Sequence, residues 1–170
     1  MLTARFLIER LGLEPLPVEG GYFRQTWLAP ELVAAGTLVQ GSHHAKAAGT
    51  AIYYLLTDEP GCFSAIHRLP TDEVYHFYLG DPVQQLLLHP DGRTEIVVLG
   101  QDLAAGQRVQ HVAPRGTWQG SRLVPGGQVA LLGTTMAPGF DPTDYEPGIR
   151  ADLVARYQSV AGLVHALTRE

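Results

Sequence analysis

From residue 22 to residue 136 apolar and polar positions alternate in short runs, most of them bounded by glycine, proline or aspartate. A period of two marks strands with one buried face, and these runs are rich in β-branched and aromatic residues. The pattern predicts strands at 22–28, 50–57, 62–68, 73–79, 83–89, 94–99, 108–112, 118–124 and 128–136. The first residues follow another period. Phe6, Leu7, Arg10 and Leu11 recur at helical spacing, with Thr3 as N-cap and Gly12 as stop. The tail at 149–167 returns to that spacing through Leu153, Val154, Tyr157, Val160, Leu163 and Val164.

His89-Pro90-Asp91-Gly92-Arg93 reads as a hairpin turn, because proline presets one turn dihedral and glycine supplies the positive φ. So many short strands at regular spacing predict a mainly β fold, a sandwich or jelly-roll barrel with short N-terminal and C-terminal helices, and argue against βαβ units. No repeat, low-complexity tract or linker divides residues 1–170, which should form one domain with its own core. Residues 29–49 read as a mobile excursion.

Composition narrows the partners. A net charge of −5 argues against nucleic acid, whose phosphates need a basic surface. No apolar run approaches the roughly 20 residues that span a bilayer. The segment from Met1 to Arg10 lacks the apolar core and cleavage site of a signal peptide, so the expected location is cytoplasmic. A single cysteine, Cys62, excludes an internal disulfide and a cysteine-rich zinc site.

The chemistry concentrates in His67-Arg68-Leu69-Pro70-Thr71-Asp72-Glu73, followed by Val74-Tyr75-His76-Phe77-Tyr78-Leu79-Gly80, and in Pro114-Arg115-Gly116-Thr117-Trp118-Gln119. The two segments resemble the paired motifs of the cupin superfamily, G-x5-H-x-H-x3-4-E-x6-G and P-x-G-x2-H. Further strings resemble the cupin-5 type, a single-domain branch without an assigned reaction: Glu19-Gly20-Gly21-Tyr22-Phe23-Arg24, residues 50–56, and Ala137-Pro138-Gly139-Phe140-Asp141. That branch often carries His-Pro before Glu-Gly-Gly, where this chain has Pro17-Val18. The resemblance implies a double-stranded β-helix (the cupin barrel) with an interior pocket for a small-molecule ligand, paired into a homodimer. It implies no reaction.

Alternation puts Glu73, Tyr75, Phe77 and Leu79 on one strand face. A carboxylate facing such a wall needs a partner or a raised pKa, and His67 on the preceding strand is its natural neighbour. The pair reads as an acid–base device, as metal ligands, or as a buried ion pair. The resemblance implies four ligand positions for a divalent metal, of which His67 and Glu73 are intact. Leu69 occupies the second and cannot coordinate; Gln119 occupies the last with a poor amide oxygen. The expectation is therefore no cofactor, with a divalent metal on His67, Glu73 and Gln119 as the alternative. His76 could add a nitrogen only if a bulge turned it inward.

Trp118 and Gln119 are expected at the barrel entrance, Trp118 offering a flat surface to a ligand. Arg24 and Tyr53 or Tyr54 could bind an anionic or hydroxylated ligand, only one of the two tyrosines sharing the inward face. His43, His44, His89 and His111 read as loop or strand-end residues, and Cys62 has no basic neighbour to activate it. The leading function is a metal-independent isomerase or epimerase acting on a sugar or small carbonyl compound, with His67 as base, Glu73 orienting it, and Tyr75 or Tyr53 as acid. The alternatives are a metal-dependent oxygenase or isomerase and a non-catalytic metabolite-binding module.

Overall fold

In the computed structural model, which describes residues 3–37 and 44–169, Thr3 and Gly12 bound the first helix as their chemistry requires. Thr3 Oγ1 accepts the Phe6 N–H at 3.2 Å. Gly12 takes the left-handed conformation at φ 60° and closes α1 (Ala4–Leu11). The strands, in chain order, are β1 (Glu14–Pro15), β2 (Tyr22–Leu28), β3 (Leu32–Val33), β4 (Lys46–Ala47), β5 (Thr50–Thr57), β6 (Ser64–Arg68) and β7 (Glu73–Gly80). There follow β8 (Val83–Leu88), β9 (Thr94–Leu99), β10 (Gln110–Ala113), β11 (Trp118–Leu123), β12 (Val129–Met136) and β13 (Glu146–Pro147).

They pair into two antiparallel sheets, β1-β2-β5-β12-β7-β10 and β13-β6-β11-β8-β9, beside the small pair β3-β4. The main core lies between the two large sheets, where Tyr54, Leu56, Tyr75, Phe77, Ala130 and Leu132 of the first meet Val83, Leu87, Val97 and Leu99 of the second. This is the expected jelly roll. Its outer faces are covered separately. α1 packs Leu7 onto Leu55, Val129 and Leu131 of the six-stranded sheet, and the C-terminal segment packs Leu153, Tyr157, Val164 and Leu167 onto Ile66, Leu86 and Leu88 of the other.

Among the described residues three bulges interrupt the ladders, one at Thr26 of β2, and the other two reset the alternation around the interior. Phe77 pairs with Leu132 and Leu79 with Leu131, so Tyr78 is an extra residue in β7. Glu73, Tyr75 and Phe77 keep the inner face as predicted, but Leu79 moves to the outer face against the α1 cluster. On β6, His67 pairs with Gln119 and Ser64 with Ser121, three residues against two. The bulge turns Ser64, which strict alternation would place opposite His67, into the interior.

The expected C-terminal helix is broken. α2 (Arg150–Arg156) stops at Tyr157, whose hydroxyl donates to the His89 carbonyl at 2.8 Å; a 3-10 turn (Gln158–Val160) then leads into α3 (Ala161–Ala166). The bend lets both halves reach the sheet. Strands β1, β3, β4 and β13 are two residues long, too short to carry a periodic signal. They include the flanks of the expected excursion, of which residues 38–43, with His43, lie outside the described residues. Among the described residues no helix is long and apolar enough to cross a membrane.

Candidate functional site

The apolar interior turns polar at one end. His67 and Glu73, 2% and 7% exposed, enter it from β6 and β7, Gln85 from β8, Gln119 from β11 and Thr134 from β12. Gln119 Nε2 donates to Glu73 Oε2 at 2.7 Å, and the Tyr75 hydroxyl donates to the same oxygen at 3.2 Å. Gln85 Nε2 in turn reaches Gln119 Oε1 at 3.4 Å, leaving Gln85 Oε1 buried without a donor among the described residues. Burial pushes the Glu73 carboxyl above its ordinary value. His67 and the hydrogen bonds from Thr134 and Gln119 oppose that rise, while the nearby charge of Glu19 adds to it.

His67 is held differently from the expectation. Its Nδ1 lies 2.8 Å from the Ala65 carbonyl, which can only accept, so Nδ1 carries the proton. In the neutral ring Nε2 then keeps its lone pair, and no donor among the described residues occupies it. The Tyr145 ring stacks on the imidazole. Glu73 therefore acts on His67 through space, as a charge, and the carbonyl and the stacked ring do the orienting. An imidazole so fixed can take a proton from a bound molecule.

Three polar groups absent from the predicted site belong to it. Glu19 enters from the turn before β2, its Oε1 accepting from the fully buried Ser64 hydroxyl at 2.7 Å. Tyr145 brings a hydroxyl that is buried and unpartnered among the described residues; burial, then the charge of Glu19, raise its pKa. Gln85 is the third. Glu19 stands in the Glu-Gly-Gly string and Tyr145 shortly after the Ala-Pro-Gly-Phe-Asp string, so both signals were present in the sequence. Tyr54, the inward member of its pair, donates to the Gly20 carbonyl at 2.9 Å.

Four predicted ligand-binding residues stand elsewhere. Tyr53 points to the outer face of the six-stranded sheet, where Arg24 lies over its ring at 5.6 Å and Tyr78 meets it edge-on. His76 shares that face, bonded to the Thr135 hydroxyl at 3.1 Å, as alternation from Glu73 dictates. Trp118 is one residue from Gln119 and so faces the helices, beneath Arg68 at 4.5 Å, not the barrel entrance. Arg24, Tyr53, His76 and Trp118 thus lie on faces turned away from His67 and Glu73. Of the remaining histidines, His44 meets Asp141 at 3.0 Å on the surface; His89 follows β8 and His111 of β10 pairs with Tyr75, each with a buried Nε2 that has no hydrogen-bond partner among the described residues.

The donor set does not fit a tightly held divalent ion. Among the described residues no group of three or more His, Cys, Asp and Glu side chains is placed to hold one. Gln119, the third predicted ligand, turns its amide nitrogen toward Glu73, and a protonated amide nitrogen cannot coordinate. Leu69 is buried and has no donor atom.

Residues 5–147 match the family model described as Cupin superfamily (DUF985). The uncharacterized protein YML079W of Saccharomyces cerevisiae is 30% identical over 136 residues, covering 75% of this chain and 66% of the yeast protein, just under two thirds of its length. A hypothetical protein from Leishmania major superposes with a TM-score of 0.85 at 29% identity, covering 99% of this chain and 100% of that one. Protein SO0799 from Shewanella oneidensis gives 0.85 at 31% identity, with 99% of each chain covered.

Proposed function

The chain belongs to the Cupin_5 family of the cupin superfamily, and on that premise we propose that its barrel interior binds a small hydroxycarbonyl compound and moves a proton on it without a metal. The observation that carries this reading is the fixed tautomer of His67: Nδ1–H is spent on the Ala65 carbonyl, and Nε2 is left as a lone-pair base among buried polar side chains. Nε2 would remove the proton from the carbon beside the substrate carbonyl, and the electron pair would move into an enediol. The Glu73 charge stabilises the imidazolium so formed.

A phenol would serve the other side. The Tyr75 hydroxyl is committed to Glu73, so it steadies the carboxylate, while the Tyr145 hydroxyl is free to protonate the carbonyl oxygen. Return of the proton to the neighbouring carbon gives an isomerase, and delivery to the opposite face of the same carbon gives an epimerase. Tyr53, the alternative acid from the sequence, is on the wrong face of its strand. A paired subunit in the cytoplasm remains part of this reading.

The test is solvent exchange. Incubated in D2O with a panel of aldoses, ketoses and other small hydroxycarbonyl compounds, the protein should wash deuterium into the carbon beside the carbonyl of its substrate. His67→Asn and Glu73→Gln should slow that exchange by about 10²–10⁴-fold, the usual worth of a positioned acid–base group. Exchange unchanged in His67→Asn would overturn the assignment.

A further inference from the structure

The interior site is unusual in the sign of its polar groups. Beside the unpartnered Tyr145 hydroxyl, Glu73, the His67 Nε2 lone pair and the unpartnered Gln85 Oε1 are acceptors, and Glu19 adds a second carboxylate. Cations nearby are engaged elsewhere. Lys46, buried, is bound to Asp144; Arg68 forks onto Glu146 outside the barrel. Arg169 donates to the carbonyls of Val18, Glu19, Gly61 and Phe63.

Those last bonds show a device for holding Glu19. The turn that carries it runs through Val18 at φ 68°, Gly20 at φ 102° and Gly21 at φ 73°. Positive φ is strained for a β-branched residue, and such strain persists only where the surroundings enforce it. Here the Arg169 clamp enforces it, and a Cβ on Gly20 would lie 2.1 Å from Arg169 Nη2 and 2.4 Å from the Phe63 carbonyl. The Glu19 carbonyl also accepts the Ala65 N–H at 2.8 Å, beside the Ser64 that holds its carboxylate.

We propose that Glu19 is the second carboxylate of the interior site and that the acceptors it completes select an uncharged polyhydroxylated ligand over its phosphorylated or carboxylated counterparts. This rests on the reading of the interior as the binding site and names the substrate class within it. Ligand hydroxyl groups supply the donors that Gln85 Oε1 and His67 Nε2 lack. A phosphate or carboxylate would enter beside two like charges with no free cation of the site to meet it, and selection by repulsion follows.

The experiment is a thermal-shift series on the full chain with free pentoses and hexoses, their monophosphates, the corresponding uronic acids and amino-sugar hydrochlorides at matched concentrations. Neutral sugars should raise Tm and the phosphates and uronates should not. Glu19→Gln should narrow that preference by roughly tenfold or more in apparent Kd, the scale of removing one like charge. Ser64→Ala frees the carboxylate but keeps its charge, so it should weaken neutral sugars and still refuse anions, a check that does not depend on the folding of Glu19→Gln. Tighter binding of phosphates, uronates or amines than of neutral sugars, an unchanged preference in Glu19→Gln, or no shift with any class would overturn the proposal. Neutral sugars that bind without deuterium exchange would sink the proton-transfer reading alone, and an anionic substrate that exchanges would sink this one alone.

Discussion

Tyr145 lies nearly flat on His67, the ring centroids 4.9 Å apart and the planes inclined by 21°. The contact depends on a strap between β12 and β13. Asp141 caps its 3-10 turn (Pro142–Asp144) through the Thr143 N–H, while His44 bonds Asp141 and Lys46 bonds Asp144. The strap thus carries an aromatic ring into the barrel end and fixes an imidazole that its own strand already orients.

Replacing Tyr145 by Phe keeps the stack and removes only the hydroxyl. A buried hydroxyl without a partner is a liability to the fold, so the variant should be as stable as wild type or up to about 1 kcal/mol more stable in urea. Deuterium exchange on the substrate should nonetheless fall by about tenfold or more. Stability rising while exchange falls would separate a chemical role from a structural one; unchanged exchange would remove Tyr145 from the mechanism.

Glu73 gives a pH test. Its carboxyl is raised above the ordinary 4.5, chiefly by burial, so between 4.5 and its folded value the native state holds a proton that the unfolded chain has lost. Stability then falls as pH rises through that window, by at most about 1.4 kcal/mol per pH unit for one proton. Glu73→Gln cannot titrate and should flatten the slope, as urea midpoints from pH 4 to 8 would show. A wild type whose stability rises through the same window, with no change in the variant, would mean that Glu73 is ionised without cost.

How much of this was legible beforehand follows from period and from range. The strands at 22–28, 50–57 and 94–99 were visible at their observed ends because each is long enough for alternation and closed by turn residues. His67, Glu73 and Gln119 were visible because a spaced motif carries them. The misplacements have two causes. Trp118 and Tyr53 sit one residue from an inward neighbour, and neighbouring residues on a strand face opposite ways; the motif gave their proximity in sequence, not their face. Leu79 changed faces at a bulge, which leaves no mark in a hydropathy pattern. Glu19 and Tyr145 reach the site across 45 and more residues of chain, from a turn and a strap without periodicity, so only the family strings around them could have pointed to them.

The turn that presents Glu19 offers a stability test. Val18 is exposed and adopts φ 68°, a conformation that Asn tolerates and a β-branched residue resists by about 1–2 kcal/mol. Val18→Asn retains the backbone carbonyl that Arg169 holds. It should raise the urea midpoint by the equivalent of about 1 kcal/mol without altering the m-value. A lower midpoint would show that the turn is relaxed and that the Arg169 clamp does not work against strain.

Leu69 and Gln119 stand at the two motif positions that carry imidazoles in the pattern this chain resembles. Three good protein ligands are the usual minimum for an open metal site, and His67 with Glu73 supplies two. Gln119 spends its amide nitrogen on Glu73, and Leu69 adds none. Protein purified without chelator or affinity tag should therefore hold less than about a tenth of an equivalent of transition metal, because affinity sets occupancy. The double variant Leu69→His, Gln119→His restores two imidazoles at the positions the motif assigns to them. It should take up close to one equivalent of Zn2+ or Ni2+ and gain thermal stability with added metal, as ligation of the native state alone requires. Stoichiometric metal in the wild type would mean that the barrel recruits a ligand by turning Gln119, and the metal-free reading of His67 would fall with it.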